Sequence, residues 1–151
     1  MRVLIQRVKY GSVIINEKVV GEINKGIVIL VGFHKDDTEK ELNYLYNKIV
    51  NLRIFEDENK KLNKSLIEVN GEVLLVPQFT LYANCKRGRR PDFIEAASAE
   101  IGKILFNKFL DLFKKDINIK CETGIFGAEM LVKIFNDGPV TIILDSKELC
   151  H

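Results

Sequence analysis

Two runs carry no polar side chain at all, Ile27 to Phe33 and Val73 to Val76, and neither alternates as a half-solvated strand does. A strand of that kind has to be covered on both faces, so it belongs inside a sheet with a second layer beside it. The neighbouring sequence supplies both. Strand-like segments separated by turn residues run from Val3 to Val8, Ser12 to Ile15 and Val19 to Ile23, with a turn expected at Asn16-Glu17-Lys18. Further strands are expected over Glu72 to Val76, Ile117 to Cys121, Ala128 to Phe135 and Val140 to Leu144. Asn70-Gly71 reads as a hairpin turn leading into the first of these.

Two helices interrupt the strands. Thr38-x-x-Glu41 has the form of a capping box, and Leu42, Leu45, Ile49 and Leu52 follow at helical spacing. Pro91 favours the start of a second helical region, which Ser98 could cap. Its inner stripe reads as Ile101, Ile104, Leu105, Phe109, Leu112 and Phe113, ending near Lys115. The polar stretch from Glu56 to Lys64 reads as a loop. Many strands with two main helices inserted among them, without regular alternation, give an α+β fold. With 151 residues and no linker or repeat, residues 1–151 are expected to form a single domain.

Composition narrows the chemistry. No apolar run approaches the ~20 residues of a membrane span, and Arg2, Gln6, Arg7 and Lys9 interrupt the N-terminal segment, so a cytoplasmic protein with no membrane partner is expected. Cys85, Cys121 and Cys150 are scattered, and His34 and His151 are far apart, which argues against a metal site. Neither a nucleophile elbow, a zinc-protease helix motif nor a phosphate loop is present. The net charge is only +2, yet Lys86, Arg87, Arg89 and Arg90 place four cations within five residues. Such a loop is either a solvated surface or a phosphate contact, and its position just after a candidate catalytic segment favours the latter.

Two segments carry the functional signal. Val73-Leu74-Leu75-Val76-Pro77-Gln78-Phe79-Thr80-Leu81 passes from an apolar strand into polar residues, and Asn136-Asp137-Gly138-Pro139-Val140-Thr141 places a Gly-Pro step between two strand-like runs. A Gly-Pro step offers backbone carbonyls rather than side chains to a ligand; its plainer reading is an ordinary loop. Together with Met1 to Val8, Asn51 to Phe55 and Arg89-Arg90-Pro91, these segments make the whole chain resemble the D-aminoacyl-tRNA deacylase family, also called D-tyrosyl-tRNA deacylases.

The resemblance implies a hydrolase that cleaves the ester between a D-amino acid and the 3′-terminal adenosine of tRNA, without a cofactor. It implies a barrel-like mixed sheet with the helices packed outside, and a homodimer with each active site at the subunit interface. The acceptor end of aminoacyl-tRNA is the implied partner, and DNA is not. Gln78, Phe79 and Thr80 are the catalytic candidates. Gly138 and Pro139 are carried over as a backbone filter that excludes an L-substituent, a device that would also admit glycine. Arg7 is expected to orient that loop, and Phe126 and Met130 to lie near the adenosine; the alternatives are a surface cation and two core residues. Lys86, Arg87, Arg89 and Arg90 are expected along the tRNA backbone.

Thr80 is either a nucleophile or a positioning residue. A nucleophile needs a base within reach, and the nearby sequence offers only Gln78 and Asn84. Gln78 is either a substrate contact or a structural amide. Backbone N–H groups around Phe79 and Thr80, expected at a strand end, could serve as an oxyanion hole. In one respect the chain departs from the family, which usually has Ser before Gln-Phe-Thr, where this sequence has Pro77. A non-catalytic RNA-binding protein and a small-molecule esterase are the competing readings.

Overall fold

The structure, a computed structural model, describes residues 1–150. Its first strand, β1 (Arg2–Ile15), organises the sheet. Over Arg2 to Val8 it pairs antiparallel with β3 (Gly26–Gly32), and over Gly11 to Ile15 with β2 (Lys18–Ile23). Two strands were expected here. They are one because Gly11 lets the backbone pass close over Val28, where a Cβ would stand 2.8 Å from Val28 Cγ2.

β3 then pairs in parallel with β6 (Glu72–Pro77), and β6 in parallel with β7 (Cys121–Thr123). Each parallel pair needs a crossover, and the helices supply them. α1 (Glu39–Val50) lies between β3 and β6, and α2 (Ala99–Lys115) between β6 and β7. The Thr38 capping box forms, with Glu41 accepting from the Thr38 N–H at 2.7 Å. The last strand, β8 (Leu131–Asp145), runs antiparallel along the other edge of β1, and a short α3 (Ser146–Leu149) follows. β2 curls round against β7, so closely that a Cβ on Gly21 would sit 2.9 Å from the Thr123 carbonyl oxygen. The result is a nearly closed, mixed, barrel-like sheet in a single α+β domain.

Two cores follow from this curl. Val3, Ile5, Ile27, Ile29, Val73 and Leu75 face the helices and pack with Leu45, Ile49, Phe109 and Phe113. Val8, Val13, Val28, Leu74 and Val76 fill the inside, with Met130 and, from β8, Val132 and Ile134 against them. β3 and β6 serve both cores, hence their unbroken apolar sequences. Each such fully buried side chain contributes about 1.5–3 kcal/mol relative to exposure.

Several local expectations are corrected. The stretch from Glu56 to Lys64 is a two-stranded ribbon, β4 (Phe55–Glu56) with β5 (Leu62–Lys64), tied by Asp57, which accepts the N–H groups of Asn59 and Lys61. Asn70 has the positive φ of a turn residue, but the Gly71 N–H donates to the Leu66 carbonyl and β6 continues as a parallel strand, so no hairpin forms. Residues 92–98 are extended and irregular, and α2 begins only after its Ser98 cap, not at Pro91. The buried face of α2 is Gly102, Leu105, Phe106, Phe109, Leu110 and Phe113, while Ile101 and Ile104 are about half exposed. Leu52 lies beyond the end of α1, and Ile117 is exposed in a turn before β7. The strands expected on either side of Gly138-Pro139 are the single strand β8.

Candidate active site

β6 ends at Pro77, whose lack of an N–H costs nothing at a strand terminus. The Gln78 N–H donates to the Val31 carbonyl at 2.7 Å, and the chain then closes into a 3-10 turn over Phe79–Tyr82. Gln-Phe-Thr is therefore not a strand. The correction has a chemical consequence, because the first N–H groups of any helical turn have no partner within it. Among the described residues, neither the Phe79 nor the Thr80 N–H donates to any acceptor. Gln78 Nε2 donates to Thr80 Oγ1, so the hydroxyl and the amide are bonded to each other.

Beside this turn lies a cavity of about 700 Å³. Pro77, Gln78 and Phe79 form one part of its lining, the Ser98 end of α2 another, and Phe126 and Met130 a third. Phe93 packs edge-on against Phe79, with ring centroids 5.0 Å apart. No ionisable side chain lines the cavity; its polar side chains are Gln78 and Ser98. Thr80 stands outside the lining. A more polar concavity of about 540 Å³, between Arg53, Asp57 and Lys64, is lined by groups already engaged with one another, Arg53 with the Asn63 carbonyl and Lys64 with Glu58.

Gly138 and Pro139 lie elsewhere. Gln6 pairs with Thr141 and Val8 with Asn136, so two steps along β1 face five along β8, and residues 137–140 stand out from the ladder as a wide bulge. The bond between Gly138 and Pro139 is cis, and Gly138 has φ +135°, a conformation few other residues adopt. Asn136 ties the bulge from inside. Its Oδ1 accepts the Val140 N–H at 2.8 Å, and its Nδ2 donates to Thr141 Oγ1 at 2.9 Å. Arg7, on the inward face of β1 and buried, donates to the carbonyls of Asp137 and Ile54, each at 2.9 Å. It is not a surface cation.

The sequence profile described as D-Tyr-tRNA(Tyr) deacylase matches residues 4–145. The chain belongs to that family. A D-aminoacyl-tRNA deacylase of Clostridium botulinum (strain Loch Maree / Type A3) is 55% identical over 148 residues, 98% of this chain and 99% of the relative. That of Clostridium novyi (strain NT) matches equally. Among solved structures, a c-Myc DNA unwinding element binding protein is 42% identical, with a TM-score of 0.90 over 97% of this chain and 99% of that one. A probable eukaryotic D-amino acid tRNA deacylase, 21% identical, has the same fold, with a TM-score of 0.81 over 95% of this chain and 97% of that one. By this membership the protein is a hydrolase.

Within one chain of this deacylase-family fold, Pro77, Gln78, Phe79, Phe126 and Met130 gather round one cavity. Arg7, Gly138 and Pro139 form a second cluster that contributes nothing to the lining. The basic loop is a third feature. Asn84 and Asp92 exchange two backbone hydrogen bonds and pinch its ends together. Lys86, Arg87, Arg89 and Arg90 are all exposed, and none forms an ion pair among the described residues. Since Asp92 precedes Phe93, the loop leaves from the wall of the cavity. Sequence reasoning gave no role to Asn136 or Phe93. An Asn shortly before Gly-Pro is a signal for a side chain closing a turn on its own backbone, and points to the first.

Proposed function

We propose that the protein hydrolyses D-aminoacyl-tRNA, releasing the D-amino acid and free tRNA. The observation that carries the mechanism is the pair of unclaimed N–H groups of Phe79 and Thr80 beside an apolar cavity that holds no ionisable side chain. An aminoacyl ester is already labile, so positioning and charge stabilisation are enough. Water adds to the ester carbonyl carbon, and the oxygen that becomes negative accepts from the two N–H groups. Collapse breaks the bond to the ribose oxygen. The proton lost by the attacking water reaches that oxygen through the neighbouring ribose hydroxyl. Gln78 holds Thr80 in place by its hydrogen bond, and Thr80 takes no proton in this scheme.

Chirality is read by the Gly138-Pro139 bulge. Its exposure on β8, and its anchorage by Arg7 and Asn136 on the inner side, support its entering another molecule's cavity rather than its own. The unpaired edge of β8, with Leu131, Phe135 and Ile143 63%, 58% and 68% exposed, supports a homodimer in which each bulge reaches the partner's site. Backbone carbonyls placed where an L-substituent would lie reject it without reading the D-side chain, so glycyl-tRNA is also a substrate. The cations of the basic loop follow the acceptor-stem phosphates.

The test is to incubate the protein with matched D- and L-aminoacyl-tRNA and with free D-aminoacyl esters. Selective hydrolysis of the D-aminoacyl-tRNA is expected. Equal rates on the two enantiomers would overturn the filter, hydrolysis of the free esters alone would make the protein a small-molecule esterase, and no hydrolysis would make it a binder.

A further inference from the structure

Phe126 and Met130 share a feature beyond lining the cavity: each rests against a glycine. A Cβ at Gly102 in α2 would lie 3.2 Å from Phe126 Cζ and 3.6 Å from its Cε2, with no other atom within 4 Å apart from its chain neighbours and the helix's own backbone. A Cβ at Gly124 would lie 2.6 Å from Met130 Sδ. Backbone conformation does not explain either residue. Neither glycine has a positive φ, and Gly102 is inside a helix, where glycine is a poor former. What both provide is room behind a cavity-lining side chain.

We propose that Gly102 and Gly124 are positioning residues that set the size of the substrate cavity by letting Phe126 and Met130 sit back from it. The inference rests on the reading that this cavity receives the aminoacylated end of the tRNA. Its direction follows from packing. The Phe126 ring has α2 behind it, with Phe106 5.9 Å away centroid to centroid, and open space on the cavity side. A methyl group on Gly102 has nowhere to push the ring except into that space. Met130 is similarly placed between Gly124 and the cavity, but its thioether bends more readily.

Gly102→Ala is therefore expected to raise KM for D-aminoacyl-tRNA about three- to tenfold and leave kcat within about twofold, since the wall moves by tenths of an ångström and the Phe79 and Thr80 N–H groups do not. Its Tm should hold or rise by about 2–4 °C, because alanine favours the helix. A merely structural role gives the opposite pattern, a lower Tm with KM unchanged. Gly124→Ala should show a smaller rise in KM. In a Phe126→Leu background, which removes the Cζ and Cε2 atoms that face Gly102, Gly102→Ala should add nothing further. Wild-type KM in Gly102→Ala, or the same rise in both backgrounds, would overturn the proposal. Should the wild type hydrolyse no D-aminoacyl-tRNA, the activity reading fails by itself. Crystal structures of wild type and Gly102→Ala then decide the inference, with a ring displaced into the cavity supporting it and an unmoved ring ending it.

Discussion

Thr80 has the only hydroxyl in the Gln-Phe-Thr segment, and its surroundings decide what that hydroxyl can do. It accepts from Gln78 and stands outside a cavity that offers no base to activate it. Thr80→Ala is accordingly expected to keep kcat/KM within about tenfold of wild type, short of the roughly 10²–10³-fold loss that follows removal of an oxyanion donor. Acid quenching during turnover should trap no acyl-enzyme; a trapped ester on Thr80 would restore it as nucleophile. The sequence pointed to Gln78, Phe79, Phe126 and Met130 through motif and resemblance. It could not tell which way Thr80 stands, because the strand expected to carry it stops at Pro77 and the 3-10 turn begins a new direction. The Asn136 tie was hidden for a similar reason, since its partners come within reach only once residues 137–140 leave the ladder.

β8 alternates half-buried and exposed positions over much of its fifteen residues, and its exposed face carries Leu131, Phe135 and Ile143 with Lys133 as the one charge among them. On the proposed homodimer, Phe135→Lys with Ile143→Lys should halve the mass measured by sedimentation and remove the D-over-L preference. Tm should fall as the dimer's contribution is lost, but the chain's own fold should be kept by circular dichroism, since both side chains are more than half exposed in the single chain. A variant that keeps the wild-type mass would remove β8 from the interface. For the basic loop, neutralising Lys86, Arg87, Arg89 and Arg90 together should weaken tRNA binding and flatten its salt dependence, by about 0.9 in the log–log slope per lost duplex phosphate contact. Hydrolysis of a short aminoacyl-adenosine should be unchanged, and an unaltered salt slope would leave the loop as solvated surface. At this scale the apolar runs and the capping box were legible because their periods are local. The bulge was not, since Gly-Pro between two apolar runs looks the same in a turn and in a strand that keeps its partner throughout. The face of α2 was misjudged by about one residue, because Gly102 has no side chain to mark the line along which Phe126 approaches.

The whole molecule is held by contacts between distant parts of the chain, and these were the least legible. The α+β class followed from the number of strands and the two helices, but the parallel pairing of β3, β6 and β7 did not, since nothing near Asn70-Gly71 distinguishes a hairpin from a crossover. One long-range tie can be tested by pH. Arg2 Nε donates to Asp145 Oδ2 at 2.6 Å, joining the start of β1 to the end of β8. Burial raises the Asp145 carboxyl, but the bonds from Arg2 and the Lys147 N–H outweigh it and hold the group below the usual carboxylate range. A depressed value stabilises the fold above the ordinary carboxylate pKa, and that contribution disappears as the pH falls through the folded value. Asp145→Asn keeps the cap on α3, so near neutrality it should lower Tm by about 2–4 °C, the effect of roughly 1 kcal/mol for a partly exposed pair. The gap should close in acid, and a gap independent of pH would exclude the ion pair as its source. The separation of the cavity from the Gly138-Pro139 bulge within one chain has a genetic consequence for the proposed dimer. A chain damaged only in its bulge, such as Gly138→Ala, whose Cβ would stand 2.9 Å from Val140 Cγ2 and 3.0 Å from the Arg7 guanidinium, still carries an intact cavity. A chain with its cavity blocked still carries an intact bulge. With copies of itself the first hydrolyses either enantiomer and the second neither; mixed and reassorted in equal amounts, half the dimers are hybrids whose one open cavity faces an intact bulge, so about half of the open cavities should regain the D-over-L preference. An allele with a dead cavity would then restore, in one cell, part of the selectivity that the other allele had lost.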